Sequence, residues 1–226
     1  MEKRAANQHE NIRSRVLHAA AKLFLEKGYS STTTREIAQA SQVNVSAMNR
    51  AFGSKDNILA ELVEYVLEGQ FRLAAELLRG KTEDRLLFYA AETVLQLHMA
   101  ESSEHIRDLY IAAYSLPNTS RIIQRTITGK LEEIFREQLP HLQTKDFYEL
   151  EIASGGIMRG FITIPCDMYF TMDRKVCRFL ETTFKLYDVS AEKIRQAVAF
   201  VQGFDYPALA KQAVHSLLAY LEEQTV

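Results

Sequence analysis

Between Thr33 and Lys55 the chain reads TTREIAQASQVNVSAMNRAFGSK. Small and polar side chains alternate there with apolar ones, and the cations Arg35, Arg50 and Lys55 are spaced along it. A short helix that presents such side chains near its N-terminal end fits the major groove, where base edges offer donors and acceptors. Arg50 suits a guanine or a phosphate, and Asn49 an adenine or a phosphate. Lys55 stands at the start of a helix, where anions are attracted. The candidate contact set is Thr33, Thr34, Arg35, Asn44, Val45, Ser46, Ala47, Asn49, Arg50 and Lys55. On these residues alone an ordinary helical corner with a solvated polar face stays open.

Positioning such a face takes two helices and a tight turn. Thr33 N-caps the first, and Glu36 three residues on completes a capping box. Ile37 and Ala38 point inward. Ser41, Gln42 and Asn44 favour caps and turns over helix interiors, so the helix stops near Ala40. Asn44 N-caps the second helix, whose apolar side is Val43, Met48 and Phe52. Ser54 caps the next. A preceding helix over Glu10 to Lys27 carries Ile12, Val16, Ala20, Leu23 and Phe24 as a buried stripe and ends at Gly28.

The segments RVLHAAAKLFLEKGYSSTTTREIAQAS and VNVSAMNRAFGSKDNIL place Ala19-Ala20, Leu23-Phe24, Gly28-Tyr29, Thr33, Ile37-Ala38, Val43, Phe52 and Ser54-Lys55 in one ungapped register. From about Ile12 to Leu62 this resembles the DNA-binding domain of the TetR family of bacterial transcriptional regulators. The resemblance implies a helix-turn-helix head, and a C-terminal domain that dimerises and often holds a ligand pocket. It implies a ligand-responsive regulator, most often a repressor on a palindromic operator. Three positions depart from the family's pattern. Gln42 stands where a turn Gly is usual, and Asn49 and Ala51 stand where aromatics are common.

Composition agrees. The 226 residues are 47% hydrophobic and 25% charged, ample for a core. Net charge is −2, yet residues 1–60 hold nine Lys or Arg against five acids, a net +4, leaving −6 on the rest. A basic head on an acidic body suits a DNA-binding module joined to something else. Cys166 and Cys177 make no disulfide framework and read as small core residues, so a cytoplasmic setting is expected. The polar start MEKRAANQHEN reads as lacking a signal peptide. No apolar run approaches the ~20 residues of a membrane span.

The remainder is helical, and the expected class is all-α. Residues 1–8 read as a frayed arm, with Lys3 and Arg4 in reach of a phosphate or the minor groove. A connector helix over Ser54 to Arg79 spans roughly 39 Å, with Gly69 marking a close crossing or a bend. Further helices are expected over Glu83–Ala100, Ser103–Ser115, Asn118–Gln138, Lys145–Ile164, Asp173–Tyr187, Ala191–Gln202 and Pro207–Glu223, broken at Pro, Gly and Asp/Ser signals. The chain divides into a head over residues 9–69 and an effector-binding, dimerising bundle over 70–226.

A head this small makes few base contacts, so a homodimer reading two half-sites is expected. Helices after Lys145 are the interface candidates, with Gly155, Gly156 and Gly160 permitting close approach. The face Val176, Phe179, Leu180, Thr183, Phe184 and Tyr187 suits either that interface or the bundle core. An unidentified small-molecule effector would be walled by Phe88, Tyr89, His98, Met99, Tyr110, Tyr114, Met158 and Phe161, each of which also suits a core. No phosphate loop, G-x-S-x-G or H-E-x-x-H occurs. Glu101 and His105 have metal-compatible spacing but are interrupted by Ser102-Ser103. No enzyme, metal or cofactor is expected. The alternative is a helical small-molecule carrier or interaction protein whose head has lost its DNA role, for which the departures at Asn49 and Ala51 argue.

Overall fold

The computed structural model describes residues 2–223, with side-chain surroundings from residue 11 onward. Eleven α-helices are described: α1 (Glu2–Lys27), α2 (Thr34–Ala40), α3 (Val45–Phe52), α4 (Lys55–Leu78), α5 (Arg85–Ser102), α6 (Glu104–Ser115), α7 (Pro117–Phe135), α8 (Thr144–Thr163), α9 (Met172–Leu186), α10 (Ala191–Val201) and α11 (Tyr206–Glu223). From α5 onward the boundaries stay within three residues of those expected. One boundary is corrected: α1 begins at Glu2, not near Glu10, because no breaker interrupts the upstream residues. The Lys3 and Arg4 side chains lie outside the described ones.

The head is α1, α2, α3 and the first half of α4 around one core. Val16, Ala20 and Phe24 from α1 meet Ile37, Met48 and Ile58, all at most 1% exposed. Each such large side chain contributes roughly 1.5–3 kcal/mol by leaving water. That core also takes in Ala112 and Ala113 of α6, Ile123 of α7 and Leu221 of α11. So the head rests on the bundle as well as on its own helices.

α5 organises the body. It is buried almost all round from Leu86 to Ala100 and touches α4, α6, α7, α8, α9, α10 and α11. Such a helix is expected to be apolar on every side, yet it carries Glu92, Thr93 and Gln96 at its centre, each at most 4% exposed.

Two open readings are decided here and one expectation is corrected. A Cβ on Gly69 would meet nothing within 4 Å, so no close crossing occurs there. Of the two readings of the face Val176, Phe179, Leu180, Thr183, Phe184 and Tyr187, the structure selects core, since all six are buried. Cys166 and Cys177 are only half-buried, the first in the α8–α9 connection and the second on α9. No helix among the described residues is long and apolar enough to cross a membrane.

Candidate nucleic-acid interface and bundle cavity

The α2–α3 turn is built from the backbone outward. The Val43 amide donates to Ala38 O at 3.0 Å and the Gln42 amide to Gln39 O at 3.1 Å. This is a Schellman closure, whose residue after the cap adopts the left-handed region. Gln42 occupies that position with φ +55°. A left-handed side chain costs about 1–2 kcal/mol, offset in part by the entropy that Gly would lose on folding. Gln42→Gly is therefore expected to stabilise the protein by a few tenths to about 1 kcal/mol, and Gln42→Val to destabilise it by more than 1. Urea unfolding of the two variants measures this.

α1 holds the turn in place. Arg15 Nη2 donates to Ser41 O at 2.6 Å and Gln42 O at 3.1 Å. Arg13 Nη1 donates to Ala51 O at 2.6 Å at the end of α3, its guanidinium lies 4.5 Å over the Phe52 ring, and it pairs with Glu61 of α4. Cations placed on the last carbonyls of two helices satisfy groups that otherwise lack partners.

The capping residues behave as read. Thr33 Oγ1 accepts from the Glu36 amide at 3.3 Å, and Glu36 Oε2 accepts from the Thr33 amide at 2.8 Å. Lys27 pairs with Glu36 and, with Thr33, holds its carboxyl down to about 2. Asn44 Oδ1 accepts from the Ala47 amide at 2.8 Å, which leaves its NH₂ facing out. Thr33 and Asn44 thus set the helices.

Along the outer face Arg35, Val45, Ser46, Asn49 and Arg50 are exposed, and Thr34 and Ala47 half-buried. Neither Arg35 nor Arg50 makes a hydrogen bond or ion pair among the described residues. Lys55 differs. Its ammonium donates to Tyr29 O and Thr32 O, both at 2.8 Å, and lies 4.0 Å over the Tyr29 ring, with its pKa lowered by desolvation. Two of its three N–H donors are spent on the α1–α2 loop. The role of Arg13 and Arg15 was not legible in sequence, since a helix arginine without its target reads as surface charge.

Head and body are joined at that loop. Asp108 of α6 accepts from the Ser30 amide at 2.7 Å and Ser30 Oγ at 2.6 Å. Gly28 has φ +84°, and a Cβ there would meet Asp108 Oδ2 at 2.7 Å. Asn118 Nδ2 donates to Asn57 Oδ1 of α4 at 2.8 Å.

The eight residues expected around an effector are not brought together. Tyr89, Tyr114 and Met158 line one interior cavity of about 40 Å³ among α4 to α9. Met99 and Tyr110 line a second, of about 150 Å³, toward α4 and α11. Phe88 faces an outer groove, His98 stacks on Tyr206 at 5.1 Å, and Phe161 packs edge-on to Phe179 at 5.7 Å. The first cavity also holds Glu92, Gln96, Glu151 and Ser154, which were missed. Their one sequence signal is polarity inside apolar helices, as in AAETVLQLHM. Glu92 and Glu151 are each 3% exposed. Burial pushes both carboxyls up, Glu92 to about 7 and Glu151 to about 8, the latter raised further by Glu92.

Glu101 and His105 do not share a helix, because Ser103 ends α5 and caps α6. Glu101 is held instead by buried Lys175 at 2.8 Å, Arg107 at 2.9 Å and the Cys166 amide at 2.9 Å. Among the described residues no group of three or more His, Cys, Asp or Glu is placed to hold a metal.

Residues 16–62 match the family described as "Bacterial regulatory proteins, tetR family". The chain is 24% identical over 162 residues to the "Probable HTH-type transcriptional regulator YttP" of Bacillus subtilis (strain 168), covering 69% of this chain and 70% of that one. It is 39% identical over 59 residues to the HTH-type transcriptional regulator HbdR of Aromatoleum sp. (strain CIB), covering 26% of each. Among solved structures, RolR in complex with its ligand resorcinol superposes with a TM-score of 0.66 at 17% identity, over 85% of this chain and 95% of that one. That likeness establishes the all-helical fold. The relatives are transcriptional regulators, not enzymes.

Proposed function

From a chain that belongs, through residues 16–62, to the tetR family of bacterial regulatory proteins, we propose a dimeric, ligand-responsive repressor that reads a palindromic operator. It is a DNA-binding transcriptional regulator by family. The observation that carries the finer reading is the outer face of α3. Val45, Ser46, Asn49 and Arg50 stand exposed on a helix whose ends are fixed by Asn44, Arg13 and Arg15. Ser46 and Asn49 serve base edges, and Arg35 and Arg50 serve phosphates or guanine. Thr33 and Asn44 act by holding the helices, and Lys55 chiefly by fixing the loop beside them.

One head covers a single half-site, so two copies are needed. The outward stripe of α8 supports a two-fold contact: Tyr148 and Ile152 are 40% and 50% exposed, and Cβ atoms on Gly156 and Gly160 would meet nothing within 4 Å. The head over residues 9–69 and the bundle over 70–226 meet within α4. Tyr114 lines the interior cavity while Asp108, on the same helix, holds Ser30 of the head. An effector that shifts α6 thereby changes the separation of the two α3 helices, and only one separation matches half-sites about 34–36 Å apart.

The test is selection of bound fragments from the source organism's DNA at two salt concentrations. Recovery of one palindromic site supports the reading. Binding that is sequence-independent, or absent after refolding without ligand, overturns it and favours the carrier alternative.

A further inference from the structure

The interior cavity contains more than an apolar hole needs. Glu92 Oε1 accepts from Gln96 Nε2 at 2.7 Å, and Gln96 Oε1 accepts from Tyr114 OH at 2.9 Å. Glu151 Oε2 accepts from Ser154 Oγ at 3.0 Å. The second oxygen of each carboxyl, Glu92 Oε2 and Glu151 Oε1, makes no hydrogen bond among the described residues; neither atom is fully sealed from a water-sized probe, although each residue as a whole is buried. The rest of the wall is mainly apolar, with the rings of Phe71, Tyr89, Tyr114 and Phe179 beside Ile127, Leu131, Ile134 and Met158.

We propose that this cavity receives the ammonium group of a small aliphatic amine, with Glu92 and Glu151 as its counter-charges and the aromatic rings around its methylenes. The proposal rests on the reading of the bundle as the effector domain and names the class of effector.

Three features point the same way. First, buried carboxylates are stable only when paired or hydrogen-bonded, and these two lack a cation. The nearest lining cation, Lys130, pairs with Glu133 at 3.5 Å and lies 5.9 Å over Phe71. The other titratable walls, Tyr89 and Tyr114, are held neutral by burial. Second, an ammonium offers three donors to two free carboxyl oxygens, and ring faces attract a cation within about 6 Å. An anionic ligand would instead meet two carboxyls and no free cation. Third, the space of about 40 Å³ exceeds what one water needs, ~10–15 Å³, but is well short of the ~150 Å³ that takes a benzene ring, so it fits an ammonium head with one or two carbons. The cavity shares the wall residues Phe71, Lys130 and Ile134 with the outer groove of about 1000 Å³, so side-chain movement there, between α4 and α7, is the shortest route in.

Proton balance follows. Empty, the pair holds protons near neutral pH. The arriving cation lowers both carboxyl pKa values, so binding releases protons to the buffer. Affinity therefore rises with pH from about 6 to 8, by threefold or more per unit.

The test uses the full chain with ethylamine, against ethanol as neutral isostere and acetate as anion. Expected are a saturable rise in melting temperature with ethylamine alone, and a calorimetric enthalpy at pH 7.5 that changes with the buffer's ionisation enthalpy. The Glu92→Gln, Glu151→Gln double variant, checked for cooperative melting, is expected to lose at least tenfold in ethylamine affinity. An equal response to ethanol, an undiminished response in the double variant, or no response overturns the proposal. Affinity for the selected operator is measured in parallel. Normal DNA binding with no amine response fails this proposal alone, whereas absent DNA binding fails the regulator reading. Amine binding that leaves operator affinity unchanged overturns its role as effector.

Discussion

Replacing Arg35 and Arg50 together by Ala is expected to weaken operator binding at least 100-fold while moving the melting temperature by less than about 2 °C. Both guanidiniums are exposed and make no internal contact among the described residues, so the folded state loses almost nothing. On DNA each lost contact costs about 1–3 kcal/mol if it reads a base, or about one unit of salt slope if it meets a phosphate. Two heads double the count, so the slope of log affinity against log salt is expected to fall by roughly 2–4. Arg15→Ala is the contrast. It removes the donor to Ser41 O and Gln42 O and leaves the end of α2 open. A charged hydrogen bond of this kind is worth about 1.5–3 kcal/mol, so here the melting temperature itself falls. Filter binding over a salt series, paired with thermal melts, separates the two. Unchanged affinity in the Arg35, Arg50 variant would sink the assignment of this face to DNA.

Glu151→Gln is expected to stabilise the protein, and to do so mainly above pH 7. The carboxyl is raised from 4.5 to about 8, by burial first and by Glu92 second. A carboxyl whose folded pKa is raised is held protonated in the folded chain and ionised in the unfolded one. Below pH 4.5 it costs nothing. As pH rises from 4.5 toward 8 the unfolded state gains from ionising while the folded state does not, so stability is progressively lost and the penalty levels off above 8. The amide keeps the shape and can accept from Ser154 Oγ but never titrates. At about 1.4 kcal/mol per pKa unit, the gain is expected to be on the order of 2–4 kcal/mol at pH 8.5 and under about 1 at pH 5. For a chain of this size that is roughly 5–10 °C in melting temperature at the higher pH. Glu92→Gln follows the same sign with a smaller effect, since Glu92 rises only to about 7, and the two gains are not additive because the Glu92 charge helps to raise Glu151. Equal gains at both pH values would mean the cavity carboxyls do not titrate as described. The penalty is also the reason to expect a ligand there, since a bound cation would remove it.

What the residues alone determined is local. The Thr33–Glu36 box and the Asn44 cap follow from side chains reaching backbone three residues away, the Gly28 stop from glycine's access to the left-handed region, and all three stand as read. The all-helical class followed from apolar periodicity, which also needs no distant partner. Helix ends moved by a few residues because fraying and capping compete there over fractions of a kcal/mol.

Everything that depends on a remote partner was decided by tertiary structure. Lys55 reads as a phosphate ligand until the carbonyls of Tyr29 and Thr32 come within 2.8 Å of it. Arg13 and Arg15 read as surface charge until α3 and the turn are laid across them. The apolar face of α9 fits an interface or a core equally, and only the closure of α5, α8 and α10 around it makes it core. Glu92 and Glu151 lie 59 positions apart in the chain, and no periodicity within either helix links them. A residue's type sets which contacts it can make; the fold decides which groups, from far along the chain, come near enough to make them.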